Sequence, residues 1–171
     1  LVYHVTAEPN ADYSKANVRA KIQVCNTGHK AAKKLKAVMN IGENHRGTIP
    51  MILSGDTSTI ELTCTIDNPK LWSAEKPNLY PFSVELQDAK GNTIEHFDYH
   101  LGVKKVEVVG EVFKINGKNV KLRGVNRHDH HPKTGRYVDD ATYEEDIRLM
   151  KQANINFLRT SHYPDREYLY E

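Results

Sequence analysis

Period-two alternation without a helical period over the first hundred or so residues, then a strand–helix–strand–helix order in the last sixty, predicts a mainly β chain. The fold class is an immunoglobulin-like antiparallel β-sandwich over residues 1–109, followed over 110–171 by the first βα units of a (β/α)8 TIM barrel.

The elements follow in order. In NVRAKIQVCN, alternation places Val18, Ala20, Ile22 and Val24 on one face and Cys25 on the other. The basic cluster Lys30–Lys36 reads as a solvated turn and strand edge leading into LKAVMNIG. After a Ser54-Gly55-Asp56 turn, TIELTCTID aligns Ile60, Leu62, Cys64 and Ile66 on its apolar face. Trp72 lies in NPKLWSAEKPNLYPF among prolines and is expected in a packed loop over the sandwich edge. PFSVELQDAK and NTIEHFDYHLG are joined through Ala89-Lys90-Gly91-Asn92, whose Gly and Asn tolerate positive φ, as a hairpin turn requires. His96 and His100 in the second of these strands are expected at the surface.

Beyond Val109, EVFKINGKNVKLRGVN predicts a hairpin turning at Asn116-Gly117, its second strand running into Gly124-Val125-Asn126. A histidine-dense loop, RHDHHPKTGRYV, comes next. Asp139 or Asp140 is a candidate N-cap, and Tyr143, Ile147 and Met150 form an apolar stripe at i, i+4, i+7. Glu144, Glu145 and Asp146 read as a solvated acidic helix start, and Lys151 suits the C-terminal end of the dipole. INFLRTS is a second short strand, and Tyr163-Pro164 sets the turn into a helix begun by DREYLYE.

Composition limits the function classes. Apolar residues make up 39% of the 171 and charged residues 27%, enough for a packed core and unlike a disordered chain. The 24 basic and 22 acidic residues are interspersed and leave a net charge of +2, with no basic stripe carrying aromatics, so nucleic acid is not an expected partner. Nor is a membrane, since no stretch approaches eighteen apolar residues. A chain starting at Leu1, without initiator Met or leader pattern, is expected to be an internal segment of a longer protein. Cys25 facing out and Cys64 facing in argues against a disulfide between them and favours a reducing compartment.

The polar residues of the C-terminal part cluster where each strand ends. In a (β/α)8 barrel those ends build the active site, so Asn126–His131 and Arg159, Ser161, His162 and Tyr163 would face one mouth.

RGVNRHDHHP followed by DIRLMKQANINFLRTSHYP, with LWSAEKPNLYPFSVEL upstream, resembles glycoside hydrolase family 2 and, within it, the large bacterial β-galactosidases. The likeness spans Leu71–Tyr163, and residues 1–70 share only the sandwich. The resemblance implies a retaining glycosidase acting on β-galactosides through two glutamates, an acid/base and a nucleophile. Both would lie on later barrel strands, so Glu144, Glu145, Glu167 and Glu171 match neither and no catalytic residue is expected in this segment. It further implies that His128 and His162 bind galactosyl hydroxyls, and that Arg159 orients the nucleophilic carboxylate. Asn126 and Asp129 would support them from behind. A magnesium ion would be held outside this segment, and the parent would be a homo-oligomer.

Two other readings stand beside this one. His128-x-His130 at a strand end is also how metal-dependent barrel hydrolases present two ligands. The sandwich could equally serve a non-catalytic carbohydrate-binding or scaffolding protein. For His130 and His131, hydrogen bonding to the loop backbone is the simpler role. For Arg159, the simpler role is an ion pair within the barrel mouth.

Overall fold

A computed structural model describes residues 2–170, with Val2 by its backbone only. The chain divides into two compact units, one of residues 1–107 with 115–117 and the other of residues 108–114 with 118–171.

Among the described residues, the two sheets of the first unit are built from seven strands. β1 (Val2–Pro9), β2 (Lys15–Cys25) and β5 (Thr57–Asp67) form an antiparallel sheet with β2 in the middle. β3 (Leu35–Ile41), β4 (Glu43–Ile49), β6 (Tyr80–Gln87) and β7 (Thr93–Leu101) form a second antiparallel sheet ordered β4-β3-β6-β7. Along β2 every even residue from Ala16 to Val24 is buried and every odd one exposed. One face of β2 therefore enters the core while the other meets water. Val18, Ala20, Ile22 and Leu62 from one sheet share a cluster with Met39, Phe82, Val84 and Leu86 from the other. Each large side chain wholly removed from water there contributes about 1.5–3 kcal/mol.

β1 and β4 carry little sequence signal, and β4 shows why. Its inward positions are His45, Gly47 and Ile49. A Cβ on Gly47 would lie 2.4 Å from Ile60 Cδ1, so the neighbouring sheet already fills that space. Trp72 is half-buried in the loop before β6, its backbone N–H donating to the Val103 carbonyl at 2.8 Å and its ring lying against Gly102. His96 and His100 are exposed.

Cys25 and Cys64 are both free. Cys25 pairs with Thr57 and Cys64 with Val18, so they lie about 23 Å apart along the sheet, far beyond the roughly 7 Å a disulfide spans.

β8 (Val106–Val109), β9 (Val112–Ile115) and β10 (Lys118–Asn119) form a meander. Asn116 and Gly117 turn its last hairpin at φ +50° and +73°, the pair of left-handed residues a tight hairpin needs. The strand expected to continue from this hairpin into Gly124 is broken. β10 is only two residues long, and β11 (Gly124–Arg127) pairs instead in parallel with β12 (Phe157–Thr160). Asn156 causes the break by binding the intervening backbone: its Oδ1 accepts from Arg123 N–H at 2.8 Å and its Nδ2 donates to the Lys121 carbonyl at 3.1 Å.

α1 (Asp140–Gln152) joins β11 to β12, and α2 (Glu167–Tyr170) follows. Asp139 caps α1, accepting from Thr142 N–H at 3.0 Å and Thr142 Oγ1 at 2.6 Å. Hydrogen bonds to Thr142 hold the Asp139 carboxyl below its ordinary range, so the cap is an anion beside the positive end of the helix.

Candidate functional site

The parallel register pairs Asn126 with Arg159 and Arg127 with Thr160, so two faces of the β11–β12 ribbon alternate. Gly124, Asn126, Phe157 and Arg159 are exposed on one face. A Cβ on Gly124 would meet Phe157 Cδ1 at 2.7 Å, so only glycine lets that ring lie across β11. The other face carries Val125, Arg127, Leu158 and Thr160 toward α1. In a closed barrel, the face opposite the helices is the interior.

Just beyond the strand ends, the His128 and His162 rings stand edge to face with centroids 5.6 Å apart. His130 is 6.5 Å from His128, and His131 is tied into its own loop: its Nδ1 lies 3.3 Å from the Thr134 amide, and its N–H donates to the Gly135 carbonyl at 2.7 Å. Both imidazoles of the His128–His162 pair are exposed, leaving their nitrogens open to a ligand. Arg159 is exposed as well, and its side chain has no hydrogen-bond or ion-pair partner among the described residues. The structure thus brings His128 and His162 together and sets Asn126 beside Arg159, while Asp129 turns to the other face.

On that face is a group whose role the sequence did not disclose. The Arg127 side chain is only 6% exposed and meets three carboxylates: Asp129 Oδ1 at 2.5 Å, Asp146 Oδ2 at 2.9 Å and Asp165 Oδ2 at 3.4 Å. Its guanidinium lies 4.4 Å over the ring of buried Tyr143, whose hydroxyl donates to Asp129 Oδ1 at 2.9 Å. Burial opposes the Arg127 charge, but Asp129 and Asp146 outweigh it and raise the pKa further. Burial also opposes ionisation of Asp129, yet hydrogen bonds from Asp165, Arg127 and Tyr143 hold its carboxyl low. Asp165 goes the other way, raised by burial and by the neighbouring Asp129. Its Oδ1 is buried and meets no donor, surroundings that oppose the charged form. Asp146 is therefore not a solvated member of an acidic helix start. Its position three residues after Tyr143 puts it on the packed side of α1, and that spacing was the available signal.

No group of three or more His, Cys, Asp or Glu side chains among the described residues is arranged to hold a metal ion. The three aspartates surround a guanidinium, which takes the place a cation would occupy, so these residues do not fit magnesium. Glu144 and Glu145 lie in α1 and Glu167 in α2, none at a strand end, and Glu171 lies outside the described residues.

Residues 2–104 match the family described as glycosyl hydrolases family 2, and residues 106–171 match that family's TIM barrel domain. The chain belongs to glycosyl hydrolase family 2. Within the family it is 45% identical over 117 residues to a β-galactosidase of Pseudoalteromonas haloplanktis, a match covering 68% of this chain and 11% of that protein. Among solved structures, a putative β-galactosidase from Bacteroides fragilis superposes with a TM-score of 0.87 at 24% identity, over 98% of this chain and 26% of that one. A family 2 β-galacturonidase from Eisenbergiella tayi, bound to galacturonate, gives 0.79 at 26% identity, over 98% and 30%. A Bacteroides uniformis β-glucuronidase gives 0.85 at 24% identity, over 98% and 21%. The chain spans about a tenth of the curated relative's length, and the fold it shares with these family 2 structures is the immunoglobulin-like sandwich with the start of the barrel.

Proposed function

We propose that this chain is part of a retaining β-galactosidase and supplies substrate-binding and supporting groups to a site whose two catalytic glutamates lie elsewhere in the parent enzyme. The observation that carries this reading is the convergence of two open imidazoles, 5.6 Å apart, beyond adjacent parallel strand ends. A neutral imidazole donates from one nitrogen and accepts at the other, so the pair can hold neighbouring hydroxyls of one sugar. As positive charge develops on the flattening ring, its hydroxyls become better donors and those bonds strengthen, which lowers the barrier rather than merely tightening binding.

Arg159 lies on the same strand face as Asn126, opposite α1, where its unpaired guanidinium can take a carboxylate in two parallel hydrogen bonds. An arginine so placed keeps a facing glutamate ionised and fixes its approach. Asn126 and Asp129 support these groups from the strand and from the Arg127 cluster. Magnesium would be held by residues outside this segment. The parent enzyme would be a homo-oligomer. The choice of galactose over glucuronate is supported by the 45% identity to a β-galactosidase.

The test is the full-length enzyme assayed with nitrophenyl β-galactoside and nitrophenyl β-glucuronide side by side. Turnover should be confined to the galactoside, and His162→Ala should lower kcat by about 10²-fold, as loss of one transition-state donor does. A change confined to KM would mean that His162 holds ground state and transition state equally, against this role.

A further inference from the structure

The two histidines are exposed side chains on loops, yet the residues on each side of one are hydrogen-bonded to the residues on each side of the other. Ser161 N–H donates to the Arg127 carbonyl at 2.8 Å, and Asp129 N–H donates to Tyr163 Oη at 3.3 Å. His128 thus stands between two residues that are bonded to the two residues flanking His162. Behind this ladder, Arg127 Nη1 reaches Asp129 in the first loop and Asp165 in the second, while Nε reaches Asp146 on α1.

We propose that Arg127, with Asp129, Asp165 and Tyr163, is a positioning clasp that sets the spacing of His128 and His162, an inference that rests on the reading of those histidines as sugar-binding groups. Arg127 touches no substrate in this scheme and acts through the two loops it joins. If its task were only to fix α1, the single bond from Nε to Asp146 would suffice. Instead, the other arm of the fork is directed to both loops. Surrounding one buried guanidinium with three carboxylates is also a poor way to gain stability, since well-packed apolar side chains commonly serve as well or better. What such a cluster supplies is direction: a planar fork fixes its partners at set angles. Two imidazoles that must hold one ring as it changes shape require that, and a displacement of about 1 Å is enough to cost up to 10²-fold in rate.

The experiment uses the full-length enzyme carrying Arg127→Lys, Tyr163→Phe or His128→Ala, with active sites titrated by a mechanism-based fluorosugar. Arg127→Lys keeps the charge and loses the fork; Tyr163→Phe removes only an acceptor at a partly exposed ring and leaves the core untouched. Arg127→Lys should lower kcat per titrated site about 10-fold or more, and Tyr163→Phe about 3-fold, with KM changed by less than about 2-fold. The inhibition constant of galactonolactone, a flattened sugar analogue, should rise in the same proportion. A lowered melting temperature with kcat per site unchanged in both variants would make the cluster structural and overturn the clasp. If Arg127→Lys fails to fold, Tyr163→Phe decides by the same criterion. Unchanged kcat in His128→Ala would overturn the reading of the site and the clasp with it. Loss in His128→Ala without loss in the other two would overturn the clasp alone.

Discussion

Arg127 follows Asn126 in a strand, and that one-residue step reverses its surroundings: Asn126 is exposed, Arg127 is buried against α1. An arginine on the helix-facing side must find anions, and it finds three within hydrogen-bonding reach. Burial and the neighbouring Asp129 raise the Asp165 carboxyl above its ordinary range. The sign of the linkage follows from the direction of that shift. A carboxyl whose pKa is raised on folding keeps more proton in the folded state, so its contribution to stability falls as pH rises above the ordinary value of 3.8. Asp165→Asn has no proton to lose. Relative to the parent it should gain stability progressively from about pH 4 upward, read as the difference in melting temperature between the two. A difference that shrinks with rising pH would mean that the Asp165 carboxyl is lowered on folding rather than raised. The positions of His128 and His162 beyond the strand ends were legible in the sequence because a polar side chain just past a barrel strand faces the mouth, where packing does not call for it. Arg127 was not, since a run of charged residues hides which of them is buried.

Among the elements, the strands that were easiest to read are those whose inward positions are all apolar. β2 buries Val18, Ala20, Ile22 and Val24 in strict alternation, and its period is visible at once. β4 was hidden because its inward positions include a histidine and a glycine, a choice made by Ile60 and Leu62 on the facing strand rather than by β4 itself. Gly47→Ala should therefore destabilise the sandwich by about 1–3 kcal/mol through overpacking, measured by urea unfolding. Ile22→Ala should cost about 2–5 kcal/mol by opening a cavity at a wholly buried site. A neutral Gly47→Ala would show that Ile60 and Leu62 can withdraw. The broken strand after Asn119 has a similar cause, because Asn156, some thirty-five residues downstream, takes the hydrogen bonds a neighbouring strand would have taken.

Across the whole molecule, the two units differ in how much they bury. The first holds a contiguous cluster drawn from both of its sheets. In the second, Arg127, Val138, Tyr143 and Ser161 are the buried residues among those described, and β11 and β12 form a sheet of two strands. Parallel strands are stable when both faces are covered, and here the face bearing Asn126 and Arg159 is open. Hydrogen exchange on the 171-residue chain should find the amides of β2, β3 and β6 protected far longer than those of β11 and β12. Equal protection in the two units would contradict this difference in burial.

Every buried member of the sandwich cluster lies between Val18 and Leu101, so its core is encoded as one uninterrupted stretch. For recombination between related genes, a crossover near residue 105 would leave that core whole. It would not leave the unit whole, because Asn116 accepts the Lys105 amide at 2.9 Å and donates to the Trp72 carbonyl at 2.9 Å. The natural suture for shuffling this sandwich onto another barrel therefore falls after Gly117. Chimeras joined there should express and melt like the parent sandwich, whereas those joined at 105 depend on whether the incoming partner happens to supply an asparagine at the hairpin turn.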